Sequence, residues 1–201
     1  MKTRRKPSVS RKPDDFPTEN VLTGYDVPRL LAAGREFDRF RFVGCDLGGA
    51  ELGGLRFEDC LFERCNLAGA SLRDTALQNV AFADCKLVGV VFSACAEMLF
   101  TVHFDQCQLR YTSFVGRRMA GTRFVECALV EADFTDADLS GAVFGDCELA
   151  GAVFEHTKLV GADFTTARGF TLDPERNTLT RARFALGGLP GLLLKYGVIV
   201  E

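Results

Sequence analysis

The sequence predicts an all-β solenoid whose coils have four short sides. Three observations predict it. Cys45, Cys65 and Cys85 are spaced by twenty residues, as are Cys107, Cys127 and Cys147, and each stands two residues before a leucine. Large apolar residues recur every five positions, a period that matches neither a helix (about 3.6) nor a strand (about 2). The residue two before each large one is small, and the residue two after is often Gly, Asp or Asn, as a tight turn requires.

Taken in order, residues 1–20 form a basic arm, with Lys2, Arg4, Arg5, Lys6, Arg11 and Lys12 and no acid before Asp14. Its charge and its Pro7, Pro13 and Pro17 predict disorder. It reads either as a solvated arm or as a nonspecific tether to nucleic acid, the one route by which this chain would touch nucleic acid directly.

Residues 21–186 form the solenoid. Every fourth apolar centre falls in one column. The phenylalanine side holds Phe42, Phe62, Phe82, Phe104, Phe124, Phe144, Phe164 and Phe184. The leucine side holds Leu47, Leu67, Leu87, Leu109, Leu129 and Leu149. The third side holds Leu52, Leu72, Phe92, Phe114, Phe134 and Phe154. The fourth side holds Phe37, Phe57, Leu77, Leu99, Met119, Leu139, Leu159 and Leu179. The register slips by two residues at 93–98, and the pattern is interrupted around Gly169 and Pro174 before returning in phase. Coils stacked at the inter-strand spacing make a rod about 36 Å long. Each buried Phe or Leu contributes about 1.5–3 kcal/mol, and little interior volume remains for a ligand. At the slip, Arg117 occupies an inward, small-residue position and Glu97 the equivalent one a coil earlier, which predicts a buried ion pair.

Residues 187–201 break the pattern. Leu189, Leu192, Leu193, Leu194 and Tyr196 predict a short helix ended by Gly197. Its first duty is to cap the solenoid. Either that is all it does, or the apolar surplus of Leu189, Leu192, Leu193, Tyr196, Val198 and Ile199 forms a two-fold dimer interface.

Composition excludes several functions. No apolar run is long enough to span a membrane, and the basic N-terminus lacks the apolar stretch of a secretory signal. The eight cysteines are expected as small core residues. Ladder partners run parallel into the core, so they should neither pair as disulfides nor wrap around zinc. Reduced thiols place the chain in the cytoplasm. Only two histidines occur, His103 and His156, with no third group to complete a triad and no Gly-rich phosphate loop; no enzyme activity, cofactor or metal is expected.

Charge is uneven. Outside the arm, 18 basic residues face 27 acidic ones, a net of −9. Nine acids, Glu126, Glu131, Asp133, Asp136, Asp138, Asp146, Glu148, Glu155 and Asp163, share their stretch with one base, Lys158. On a rigid rod, acids repeating every coil present negative charge at a spacing comparable to a phosphate backbone. A DNA-binding protein could bind such a rod in place of DNA. The alternative is a face that only confers solubility. Some charges should pair across coils: Asp138 with Arg118 and Lys158, Asp163 with Arg123 and Arg183, and Asp136 with His156.

Stretches such as Cys65-Asn66-Leu67, Ala132-Asp133-Phe134, Ala137-Asp138-Leu139 and Ala162-Asp163-Phe164 match A-(D/N)-L-x-x, and residues 36–186 resemble the pentapeptide-repeat family. The resemblance implies a right-handed quadrilateral β-helix. The end of the chain, from Asp173-Pro174-Glu175-Arg176-Asn177 through Ala182-Arg183-Phe184 and the helix, resembles the topoisomerase-protecting branch, with its Qnr, MfpA and albicidin-immunity types. That implies a homodimer engaging DNA gyrase or another type II topoisomerase and protecting or inhibiting it, through the nine acids above. The slip adds only two residues where Qnr proteins carry longer loops, so the outline is nearer the other two types. A scaffold binding an unrelated protein along a flat side is the alternative.

Overall fold

A computed structural model describes residues 20–199. The chain winds as a four-sided parallel solenoid. Its phenylalanine side is a nine-stranded parallel sheet running from Asn20–Thr23 to Arg183–Phe184, each strand paired to its equivalent one coil later. The fourth side opens with a three-stranded sheet, Glu36–Asp38, Arg56–Glu58 and Ala76–Gln78. The leucine and third sides are held by single parallel bridges, such as Asp46 to Asn66 to Lys86 and Ser113 to Asp133 to Val153.

The twenty-residue columns are the core. Along the phenylalanine side successive rings stack with centroids 4.5–5.4 Å apart and planes within 16° of parallel. Rings of the third side meet them edge-on, as Phe114 meets Phe124 at 5.9 Å and 78°. Stacked and edge-to-face pairs both suit the ring quadrupole, so two aromatic columns facing each other across the core stabilise each other. The small positions are filled as expected, with Ala132, Ala137, Ala142 and Ala162 all buried. Two of the polar residues that stand there bond to the coil before, the Thr75 hydroxyl donating to Leu52 O at 2.8 Å and Thr157 to Phe134 O at 2.9 Å, while the Thr112 hydroxyl donates within its own coil to Leu109 O at 2.7 Å. The cysteines are free and buried, and their thiols repeat this contact, Cys65 to Phe42 O at 3.4 Å and Cys85 to Phe62 O at 3.4 Å. Burial pushes the Cys60 and Cys95 thiols up to about 12, which keeps them protonated and unreactive.

Most corners place a residue in the left-handed region. Glycine supplies it in the column Gly49, Gly69, Gly89. In the column Arg64, Asp84, Gln106, Glu126, Asp146 non-glycine residues hold φ of 51–53°. A left-handed L-residue costs about 1–2 kcal/mol. Here the ladder offsets that cost, since each corner N–H bonds the next coil, as Glu126 N bonds Gly145 O at 2.7 Å.

Three expectations are corrected at the register slip and beside it. Leu99 is not a core residue. It is exposed, and Phe100 is buried in its place, its ring edge-on to Phe92 at 6.4 Å. The two extra residues bulge outward between Ala96, whose N–H still bonds Thr75 O, and Thr101, whose N–H bonds Leu77 O. The ladder therefore resumes one residue later than a plain shift of the pattern requires, and the larger apolar side chain falls inward. Arg117 is buried as expected, but Glu97 is exposed and is not its partner. The guanidinium instead caps the bulge by donating to backbone carbonyls: Phe92 O at 2.8 Å, Ser93 O at 2.9 Å, Ala96 O at 3.4 Å and Cys95 O. It also lies 4.8 Å from the centroid of the Phe100 ring. Carbonyls freed by the bulge need donors, and five N–H groups in one plane supply them. Finally, Arg118 and Arg123 form no ion pair with Asp138 or Asp163; only the partners one coil later, Lys158 and Arg183, do.

Both ends carry helices. Helix α1 (Val27–Ala33) occupies the leucine and third sides of the first coil. Asp26 caps it, accepting from Arg29 N at 3.1 Å, Pro28 stands in its first turn, and Leu30 is wholly buried in the core. At the other end α2 (Pro190–Leu193) continues as a tight turn through Tyr196 and stops at Gly197 with φ 64°, the terminating role its sequence predicts. It lies on Phe170, so closely that a Cβ on Gly191 would come within 2.3 Å of the Phe170 carbonyl oxygen and 3.2 Å of the ring. The interruption at Gly169 and Pro174 adds no residues: Glu148 still pairs with Arg168 and Lys158 with Thr178.

Candidate functional site

The nine acids do not share one side. The four-sided coil distributes them by position in the repeat. Glu126 and Asp146 stack on the corner between the phenylalanine and leucine sides, with Glu148 two residues on. Glu131 and Asp133 stand at the corner between the leucine and third sides. Asp136 and Glu155 lie further around the third side, Asp138 on the fourth and Asp163 on the phenylalanine side.

Hydrogen bonding and pairing divide them again. Asp136 faces His156 at 3.7 Å, Asp138 faces Lys158 at 3.9 Å, Glu155 faces Arg176 at 2.9 Å and Asp163 faces Arg183 at 3.0 Å. Asp133, Asp138 and Asp163 also hold their own turns, each accepting the N–H and hydroxyl of the Thr or Ser two residues on. The Thr165 hydroxyl and N–H, helped by Arg183, hold the Asp163 carboxyl below the usual carboxylate range. The other five behave differently. Among the described residues, Glu126, Glu131, Asp133, Asp146 and Glu148 have no cation within 4 Å, and Glu126 meets only the amide of Gln106 at 3.0 Å. All five border or lie on the leucine side, whose other outward residues there are Ala128, Val130 and Ala150.

The structure thus brings together a negative strip: carboxylates along both edges of a flat, small-residue side. Its first corner continues backwards through Gln106 to Asp84, with Asp105 beside it, residues the reading of the acidic stretch alone does not single out. Writing the column at spacings of twenty and, across the slip, twenty-two finds Asp84. Burial raises the Asp105 carboxyl.

The predicted dimer residues also divide. Leu192 packs against the core of its own rod and Leu193 is half-buried. Leu189, Tyr196, Val198 and Ile199 are exposed, joined by Leu186 and Leu194. The segment is pinned from the other side, since Lys195 reaches Asp173 at 2.5 Å and Glu175 at 2.7 Å, and the Tyr196 hydroxyl donates to Glu175 at 2.9 Å. Among the described residues no cluster of His, Cys, Asp and Glu is arranged to hold a metal, and no helix is long and apolar enough to cross a membrane.

The family model of the pentapeptide repeat region matches residues 35–96, 55–124 and 92–164. No curated protein matches the sequence. Among solved structures, a trypsin-treated variant of QnrB1, a plasmid-mediated fluoroquinolone resistance protein, is 18% identical over 90% of this chain and 99% of its own, with a TM-score of 0.49. HetL, a pentapeptide repeat protein involved in heterocyst differentiation regulation in the cyanobacterium Nostoc sp., is 19% identical over 84% of this chain and 85% of its own, with a TM-score of 0.36. A pentapeptide repeat protein of the Arabidopsis thaliana thylakoid lumen is 21% identical over 61% of this chain and 70% of its own, with a TM-score of 0.26.

Proposed function

We propose, from the premise that this chain belongs to the pentapeptide repeat family, that it is a non-enzymatic cytoplasmic protein that binds a type II topoisomerase as a DNA mimic and protects or inhibits it. The observation that carries this reading is the strip of uncompensated carboxylates framing the leucine side, Glu126, Glu131, Asp133, Asp146 and Glu148. A site for DNA is a positively charged track, and a rigid edge of carboxylates repeating at about 4.8 Å offers it regularly spaced negative charge. The resemblance of the C-terminal segment to the topoisomerase-protecting branch supports the choice of partner. The exposed apolar residues of that segment, Leu189, Leu194, Tyr196, Val198 and Ile199, join two rods end to end and lengthen the mimic.

Gyrase supercoiling with the purified protein titrated in, with and without a gyrase poison, tests this. Neutralising Glu126, Glu131, Asp146 and Glu148 to Gln or Asn abolishes inhibition or drug protection, while neutralising Asp138 and Asp163 leaves it in place. Equal loss from both sets would show that total charge, and not the strip, is read. No effect of the unaltered protein at any concentration would favour the second reading, a protein-interaction scaffold. The spread of the paired acids over the other three sides speaks for that reading.

A further inference from the structure

The bulge at the register slip carries a positive charge that the described part of the chain does not neutralise. Arg117 is only 5% exposed, and its guanidinium is held by main-chain carbonyls alone, those of Phe92, Ser93, Cys95 and Ala96. Carbonyls lend partial charge but no counter-ion. Among the described residues no carboxylate lies within 4 Å of Arg117, or of Arg118 beside it. Asp138, the ladder neighbour of Arg118, faces Lys158 at 3.9 Å instead. A buried cation without a counter-ion is costly, and a second cation next to it adds to the cost. Both arginines line a cleft of about 890 Å³ at the corner between the third and fourth sides. Its other walls are largely apolar: Met98, Leu99 and Val115, which are 79%, 52% and 37% exposed, and the ring of Phe100. Glu97 is the one acid among the described lining residues, and it reaches neither guanidinium.

We propose that this cleft binds a small organic carboxylate with an apolar body, the carboxylate on Arg117 and Arg118 and the body against Leu99, Phe100 and Val115. Three features select that class. A guanidinium presents its N–H groups as a planar fork that suits a carboxylate. The charge stands among apolar walls, so an inorganic anion would leave most of the cleft surface in water. Apolar walls with a few convergent polar groups, at a volume of about 300–1,000 Å³, are the usual form of a small-molecule site. One feature of the fold builds both parts. The bulge turns Met98 and Leu99 outward, and it frees the carbonyls that draw Arg117 inward. The site stands independently of the topoisomerase reading, since the cleft lies away from the leucine side.

Three probes test it: hydrocinnamate, its uncharged amide and inorganic phosphate, each titrated into the full-length protein. Binding is followed by NMR through the Nε–H of Arg117, which is buried and bonded to Phe92 O. Hydrocinnamate should saturate, and bind at least about tenfold more tightly than the amide or phosphate, as expected for one charge-assisted pair backed by apolar contact. Arg118→Gln should weaken it about tenfold. Val115→Asp, which brings the cleft a carboxylate of its own, should weaken it at least as much. Both positions are exposed, so neither change should move the melting temperature by more than about 2 °C. No saturation at concentrations on the order of 10 mM overturns the site. Equal affinity for the amide would mean that the arginines are not read, and equal affinity for phosphate that the walls are not; either rejects the proposal, as does binding that survives Arg118→Gln. Glu97→Gln decides whether the chain supplies its own counter-ion in solution. An open cleft predicts unchanged melting and hydrocinnamate affinity raised by about twofold to fivefold, through loss of a like charge. A lowered melting temperature with a shifted Arg117 signal before any probe is added would make Glu97 the counter-ion and reject the proposal.

Discussion

The two ends of the solenoid face one problem and solve it differently. Each end coil exposes a ladder of unpaired backbone groups and a cross-section of apolar columns. At the first end, α1 replaces two sides of the coil, is capped by Asp26 and drives Leu30 wholly into the core. At the last end, α2 and its continuation contribute no fully buried side chain, and Leu186, Leu194, Val198 and Ile199 are more than half exposed. One end is finished within the chain; the other is only anchored, by Leu192, Lys195 and Tyr196, and keeps an apolar surface outward. A cap therefore need not leave a surface for a partner, and the contrast makes the C-terminal end the place to test the proposed self-association.

The largest effect that would break this comparison comes from Leu30→Ala. Deleting a fully buried leucine from the first cap should lower stability by about 2–5 kcal/mol in urea unfolding, with no change in oligomeric state. A loss below about 1 kcal/mol would mean the first end is no better sealed than the last. The reverse profile belongs to Leu194→Asp with Ile199→Asp. Sedimentation should show the mass of the assembly halved, while unfolding of the single rod changes by no more than about 0.5 kcal/mol, as for exposed positions generally. A monomeric unaltered protein would remove the dimer from the account. The smallest effect is a pH dependence. Lys195 holds the Asp173 and Glu175 carboxyls below their ordinary values, so this pin contributes fully above about pH 4 and is lost as pH falls through the depressed values. Hydrogen exchange should show residues 190–199 opening below about pH 4 before Leu30 and its neighbours, and together with them if the two ends are equally secured.

How much was legible follows from the range of the interactions. The Phe, Leu and small-residue columns could be read directly, because each inward position is set by local five-residue geometry and the twenty-residue stack only repeats it. The slip was visible as a slip, but not its interior. Leu99 and Phe100 are equally apolar in the sequence, and the choice between them depends on where the ladder resumes at Thr101. The inward position of Arg117 follows from the repeat, yet its partners are main-chain carbonyls, which carry no sequence signature. Helix α1 falls where the sequence predicts the solenoid to begin, and its signal is local, the Asp26 cap and the first-turn Pro28.

The acidic stretch shows the same division. By itself the sequence determined that nine acids occur in outward positions and that their columns repeat every coil, since outwardness follows from the local repeat. Only the tertiary structure decided which of them remain uncompensated. Pairing joins residues twenty or more apart, and it depends on which side and corner each coil presents and which long cation can reach across. His156, Lys158, Arg176 and Arg183 reach four of the acids; among the described residues no cation comes within 4 Å of the rest, although Arg110 and Arg168 stand on the neighbouring coils of the leucine side.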